Sequence, residues 1–469
     1  MNEAVSSGFF TPIPKETFAR FAHQRTTTEF ILDRMRCYVM NDPGTGKTVS
    51  SLDAFIEARA LGLVNKGLTL APKAILEAAW VQDSEKFTPE LTLVPCFAEK
   101  RLQSFSKPAD IYVTNHDAAK WISEHLEAVK GVDAIFIDEA TAFKNKAAAR
   151  SAAMLKIVEH LQPKMIVLLC GTPMPGGLED LWMQMMLVDG GQRLGKSFYA
   201  FRNAITYCEP TPYGINKFIE KPGAREAVAD LISDATIRFT LEECISMPEK
   251  IVRTVPFKMP AALRSKYDEM VRDAVLKLES GEVNAVNAAA LLTKLLQISS
   301  GAVYDADKKH HVLDTVRYDL IASLCAEREQ TLVAFNWTHQ RDEILKALER
   351  AGIARKDIVV VDRSFKGSVR QLVEDFQSGK YRVLLAHPKS ASHGLTLTRA
   401  TTTIWASPTY DLERFIQFNF RTYRAGQARR TEFIMIAAED SVDIQAYARL
   451  NEKDEAQKDV ISLLQSLSR

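Results

Sequence analysis

Cys37-Tyr-Val-Met-Asn-Asp-Pro-Gly-Thr-Gly-Lys-Thr-Val-Ser-Ser-Leu52 is the stretch around which the rest of the chain is organised. An apolar run of strand type, Tyr38 to Met40, meets a turn cluster from Asn41 to Gly46. Apolar residues then return at helical spacing, at Val49, Leu52 and Ile56. A strand, a glycine-rich loop and a Gly-Lys-Thr that opens a helix make the phosphate-loop arrangement. Gly44 and Gly46 let the backbone around Thr45 curl so that successive N–H groups face one anion. The following helix turns its positive end toward the same point. Lys47 is expected to reach the β- and γ-phosphates of ATP, and the Thr48 hydroxyl to hold Mg²⁺. Asn41 stands where the strict pattern has glycine; Asn also tolerates left-handed turns.

Working outward, a chain of 469 residues exceeds one hydrophobic core, so two or three domains are expected. Hydrophobic residues make up 46% and charged residues 25%, as in ordinary globular proteins. The net charge of +1 does not mark a nucleic-acid binder, so any basic surface must be local. The six cysteines lie too far apart in sequence for a zinc knuckle or a redox pair. A reducing, intracellular and cytoplasmic setting is the simplest expectation. The first thirty residues carry charges without a long apolar core, so no signal peptide is expected, and no apolar run is long enough to span a membrane.

After the phosphate loop, short continuous apolar runs recur at Leu68–Ala71, Leu91–Phe97, Ile111–Thr114, Ala134–Ile137 and Met165–Cys170. Such runs suit strands buried on both faces, and helical stretches such as Ala74–Phe87 and Ala147–Leu161 separate them. A long helical region over 259–300 follows. A second series then begins, with Leu332–Phe335, Ile358–Val361, Val383–Ala386, Thr403–Trp405 and Phe433–Ala437. The alternation predicts an α/β fold of two tandem doubly wound parallel-sheet domains. The expected division is 1–240, a linker over 241–262, and 263–469.

Two further stretches carry chemistry. In Ala134-Ile-Phe-Ile-Asp-Glu-Ala140 a buried strand delivers two carboxylates at its carboxyl edge, where ligands bind in a doubly wound sheet. Asp138 is expected on Mg²⁺, and Glu139 is expected to orient or deprotonate the attacking water. In the second half, Gln417, Arg421 and Arg424 fall at i, i+4 and i+7, one face of a helix interleaved with Phe415, Phe418 and Phe420. Two planar guanidinia on such a face suit a polyphosphate.

The order of these motifs resembles superfamily 2 helicases, and within them the Swi/Snf group of double-strand DNA translocases. The resemblance runs from about Gln24 to about Asp443. The phosphate loop is similar to motif I and Asp138-Glu-Ala-Thr141 to motif II, with Phe143-Lys-Asn145 after it. Thr141 stands where that group usually has His. Gly171-Thr-Pro173 is similar to motif III, with Cys170 where Ser or Thr is common. Leu70 through Trp80 resembles motif Ia, and Tyr112–Asp117 motif Ib. Leu332–His339, Ser390–Leu397 and Gln417–Gln427 resemble motifs IV, V and VI.

The resemblance implies two RecA-like domains and a DNA-dependent ATPase that moves along duplex or branched DNA without reading its sequence. It implies that Gln24 contacts adenine, that Gly394 and Gln417 join the nucleotide site, and that Arg421 and Arg424 are arginine fingers acting across the cleft. Lys73, Thr114, Lys144, Trp337 and Ser392 are the expected nucleic-acid contacts. A nearly bare motor is expected, as in bacterial and phage relatives. The rival readings are a strand-separating or branch-migrating helicase, an RNA-polymerase-recycling ATPase, and an inactive motor used as a binding module.

Overall fold

The computed structural model describes residues 19–73, 76–210, 216–279, 285–305, 307, 309–391 and 395–467. Seven strands make the first sheet. In spatial order they are Leu93–Pro95, Ile111–Asn115, Gly67–Ala71, Ala134–Asp138, Met165–Leu169, Arg36–Val39 and Thr236–Ile237, all parallel. The continuous apolar runs have a simple cause: each strand feeds two cores at once. Tyr38, Leu68, Leu70, Ile135, Ile137, Ile166 and Leu168 point into one buried layer. Their chain neighbours Val39, Phe136, Val167 and Leu169 point into the other.

The second sheet repeats the plan with six parallel strands. Their order is Lys250–Phe257, Thr431–Ala438, Thr402–Trp405, Thr331–Ala334, Val383–Ala386 and Ile358–Val361. Val333, Leu385, Ile404 and Ile434 line one face, and Leu332, Leu384, Trp405 and Met435 the other. The fold is thus α/β with two doubly wound parallel sheets.

The stretch 241–262 contains a helical turn, Leu241–Cys244, and the edge strand Lys250–Phe257 of the second sheet. In that strand Phe257 is buried, Ile251 and Val255 are half-buried and the other residues are exposed, as suits an edge strand with solvated sides, so it carries no continuous apolar signature. The helical region expected over 259–300 is two helices, Ala261–Glu279 and Ala285–Ser299. Expected helix Ala74–Phe87 begins at residues outside the described set; Leu76–Val81 is a π-turn run and Gln82–Phe87 an α-helix.

Leu241 and the last helix are among the contacts that tie the halves together. Leu241, fully buried, packs with Tyr423 and Phe433 of the second half. The last helix, Val442–Leu467, runs back to the first half, where Val460 joins its core and Gln457 Oε1 accepts the Met174 N–H at 3.4 Å. Among the described residues no helix is long and apolar enough to cross a membrane.

Candidate active site

Strands 36–39, 165–169 and 134–138 are neighbours, so the loops that leave them meet at one carboxyl edge. The first of these is the phosphate loop. Gly44 and Gly46 hold φ of 88° and 86°, a region that side chains avoid. A Cβ on Gly46 would stand 2.2 Å from Gln24 Nε2. Gln24 itself donates to the Thr45 carbonyl at 3.3 Å, while its Oε1 accepts the Phe21 N–H at 3.0 Å.

Lys47 Nζ folds over the loop and donates to the carbonyls of Asn41 and Asp42, at 2.8 and 3.2 Å. Thr48, half-buried, lies in the first turn of the helix Lys47–Ala60. Asn41 proves to be a brace: its Oδ1 accepts the Phe239 N–H at 2.9 Å and its Nδ2 donates to Thr27 Oγ1 at 3.0 Å. A glycine there would leave both partners without that side chain. Asp42 is held by Arg238, whose guanidinium also reaches the Met40 carbonyl, and by the Leu241 N–H at 3.0 Å.

Strand 134–138 delivers the two carboxylates. Asp138 is buried, with Oδ2 accepting Trp80 Nε1–H at 3.0 Å and Oδ1 accepting the Glu139 N–H at 3.0 Å. Its carbonyl lies 2.7 Å from His116 Nε2. Glu139 takes φ 49° and ψ 58°, a left-handed conformation in a residue other than glycine. Strain of this kind costs on the order of 1–3 kcal/mol and clusters at functional sites. Burial raises the pKa of both carboxyls. For Glu139 the neighbouring Asp138 and Glu413 raise it further, and Lys47 opposes them.

From the other side of the cleft come Gln417, Arg421 and Arg424. The single helical face expected for them is not what forms. The helix Leu412–Asn419 carries Gln417 and ends at Phe420, and the two arginines follow on turns. Arg421 still folds back, donating from Nε to the Gln417 carbonyl at 2.9 Å. Both guanidinia point at the Leu395 carbonyl, Arg421 at 3.5 Å and Arg424 at 3.3 Å. Burial and the adjacent Arg424 bring the Arg421 pKa down to about 9, with Glu139 acting the other way. Arg424 also backs onto the phosphate loop: a Cβ on Gly44 would meet Arg424 Cβ at 3.5 Å.

The expected nucleic-acid residues fare unevenly. Lys73 is exposed. Lys144 is half-buried and ion-paired with Asp180 at 3.1 Å. Thr114 is a correction: it is fully buried, and its hydroxyl donates to the Cys96 carbonyl at 2.8 Å, so it cannot meet a phosphate. Trp337 lines a cavity of about 910 Å³ in the second half, with Phe335, Arg341, Arg363, His387 and Lys389 among its walls. Ser392 and Gly394 lie outside the described residues.

Trp80, Arg238 and Glu413 are the site residues that the sequence reading missed. Trp80 and Arg238 reach partners 58 and 196 positions away, so no local pattern signals them. Glu413 did leave a signal, four residues before Gln417 on the same helix.

A phosphate loop on one parallel sheet, faced across a cleft by two arginines from a second, defines a two-domain nucleotide hydrolase of the helicase type. The chain belongs to the SNF2-related family: the model of the SNF2-related domain matches residues 23–301, and that of the helicase conserved C-terminal domain matches 314–426. It is therefore a Swi/Snf-like, DNA-dependent ATPase.

Protein p41 of the Acyrthosiphon pisum secondary endosymbiont phage 1 is 29% identical over 93% of this chain and 97% of its own length. The DNA annealing helicase and endonuclease ZRANB3 of Bos taurus is 27% identical over 89% of the chain, which spans only 38% of that relative. Among solved structures, the Sulfolobus solfataricus SWI2/SNF2 ATPase core in complex with dsDNA aligns over 96% of this chain and 95% of its own. Its TM-score is 0.45 and its identity 20%.

Proposed function

We propose that the chain uses ATP to move along duplex or branched DNA, without reading sequence and without extensive strand separation. Family membership supports the DNA part of this reading, and the observation that carries its ATP part is the pair Arg421 and Arg424. Two guanidinia sit side by side, shielded from water, and one of them backs onto the phosphate loop. That arrangement is costly without an anion and is relieved by a polyphosphate.

In the proposed cycle Lys47 leaves the carbonyls of Asn41 and Asp42 for the β- and γ-phosphates. The loop amides from Gly44 to Gly46 hold the phosphate chain, and Gln24 holds the base. Glu139 takes a proton from the attacking water, and its burial keeps its basicity suited to that task. Arg421 and Arg424 stabilise the charge that develops on the transferred phosphoryl group.

Mg²⁺ fits the residues present. Asp138 spends one lone pair on Trp80 and one on the Glu139 N–H, which leaves carboxylate oxygen sites for a hard cation, beside the Thr48 hydroxyl helix. When bound, the cation would neutralise phosphate charge.

For domain organisation we keep the division into 1–240, 241–262 and 263–469, with strand 250–257 counted with the second sheet that it completes. For the track we propose phosphate contacts in a local groove that includes Lys73, Lys144 and the Trp337 cavity, with Ser392 as a further contact; such contacts position the motor without specifying bases. A second reading, branch migration or annealing of forked DNA, is favoured by the relatives named DNA annealing helicase. The deciding experiment compares ATPase rates with duplex DNA, forked DNA, single-stranded DNA and RNA. Greatest stimulation by duplex or forked DNA is expected. Strong stimulation by single strands with efficient unwinding of a tailed duplex would overturn the translocase reading.

A further inference from the structure

Thr141 and Cys170 both depart from the pattern usual in the group that the chain resembles, and in the structure they are neighbours. Cys170 Sγ lies 3.9 Å from Thr141 Oγ1 and 3.5 Å from Glu139 Oε2. The Thr172 N–H donates to the same sulfur at 3.3 Å. Thr141, itself buried, donates its hydroxyl across the cleft to Glu413 Oε1 at 3.0 Å. That oxygen also accepts Gln417 Nε2–H at 3.2 Å, and the Gln417 carbonyl accepts Arg421 Nε–H at 2.9 Å.

We propose that Glu413 is a positioning residue for ATP hydrolysis: through Thr141 and Gln417 it sets the second domain's Arg421 in register with the first domain's Glu139. The inference rests on the ATPase reading above and deepens it. Within this path, from Glu139 through Cys170, Thr141, Glu413 and Gln417 to Arg421, the Thr141–Glu413 hydrogen bond is the contact that crosses between domains. Opening the cleft breaks it and closing the cleft remakes it. A residue kept only for packing would not be a buried carboxylate whose charge opposes that of Glu139, since like charges in a shielded site repel. The first turn of the helix Leu412–Asn419 offsets that repulsion, because negative charge is favoured at a helix N-terminus. The side chain can then serve two donors with one oxygen. Thr141 suits this role because a hydroxyl can donate to Glu413 while keeping lone pairs for the Cys170 S–H, whose single proton goes either to Thr141 or to Glu139.

The test is a double-mutant cycle on duplex-stimulated ATPase, using Glu413→Ala, Thr141→Val and the pair together, with melting temperatures as a folding control. Each single change should lower kcat about tenfold, the size of a lost hydrogen bond to a charged group, with KM for ATP within about twofold. The double variant should be no worse than the poorer single one. Glu413→Gln and Thr141→Ser keep acceptor and donor and should recover most of kcat; they also carry the test if the alanine variant fails to fold. Unchanged kcat in Glu413→Ala, a KM effect without a kcat effect, or losses that multiply in the double variant would overturn the inference alone. An unmodified chain without DNA-stimulated ATPase would overturn the reading beneath it.

Discussion

On the first-domain wall of the cleft, the proposed nucleotide-binding groups other than Lys47 are held by loop geometry and by buried hydrogen bonds; on the second-domain wall they hang from turns. Gly44 to Gly46 present amides, Asp138 is pinned by Trp80 Nε1–H and by the next N–H, and Glu139 is held in a left-handed conformation. Asn41 and Arg238 brace the loop from behind. Arg421 and Arg424 instead follow the end of their helix and converge on a single carbonyl, Leu395. A wall built from backbone costs little reorganisation when substrate arrives. A wall built from long side chains on turns can advance and withdraw. On the proposed reading, the difference would give binding to the first domain and the timing of hydrolysis to the second.

The largest effect should come from the fixed wall. Lys47→Ala is expected to lower ATP turnover by at least about 10³-fold, because the loop loses its one mobile cation for the phosphates. The fold should persist with a modest change in melting temperature, since Lys47 donates to loop carbonyls in the free protein and also offsets the charges of Asp138 and Glu139. Glu139→Gln should instead bind ATP and fail to hydrolyse it, which filter binding alongside turnover would separate. Wild-type hydrolysis in Lys47→Ala would remove the distinction between the walls.

Next comes the mobile wall. Arg424→Ala should slow kcat by roughly 10²–10³-fold, at or below the lower end of what arginine fingers contribute, because Arg421 remains beside it. Nucleotide affinity should change only a few-fold, since the guanidinium acts on charge present in the transition state. A loss that falls mainly on affinity would make Arg424 part of the binding wall and erase the assignment.

Smaller still is the effect expected at the track. Trp337→Ala should reduce DNA stimulation of the ATPase about tenfold, on the scale of one lost aromatic contact. The rate without DNA should stay the same, because the Trp337 cavity is walled by second-domain residues. Stimulation should also fall steeply with salt, as each neutralised phosphate releases counterions. Equal losses with and without DNA would place Trp337 in the hydrolytic machinery instead.

What was legible in the sequence follows the same division. Strands buried on both faces announce themselves as continuous apolar runs, so the core of each sheet could be read from the chain, as could the loop residues Gly44 to Thr48. The edge strand 250–257 could not, because one side of it is solvated. Nor could the helix end before Arg421: spacing of i, i+4 and i+7 survives a turn, so periodicity alone does not reveal where the helix stops. Residues that act by reaching across the fold, Trp80 to Asp138 and Arg238 to Asp42, have no sequence signature, since only tertiary structure brings them together. Thr114 misled because a hydroxyl in a strand looks the same whether it faces solvent or Cys96.

The smallest effect is expected where the two walls meet. Asp83, from the short helix Gln82–Phe87, faces Lys86 and Arg424, yet burial outweighs both cations and pushes its pKa from 3.8 up to about 6. The folded chain therefore disfavours the carboxylate relative to the unfolded chain. The sign is that of a raised acid: the contribution is complete below about pH 3.8 and is lost as pH rises through about 6. Asp83→Asn should accordingly leave stability near that of the unmodified chain at about pH 3.5 and raise it at pH 8, by roughly 1–2 kcal/mol for a half-buried group. The check is the difference in melting temperature between the two nucleotide-free proteins at each pH, which cancels the titration of all other groups. Stabilisation of the same size at both pH values would mean that the amide packs better and that charge is not the cause. Destabilisation at pH 8 would mean that attraction to Arg424 outweighs burial, and that Asp83 holds the mobile wall in place.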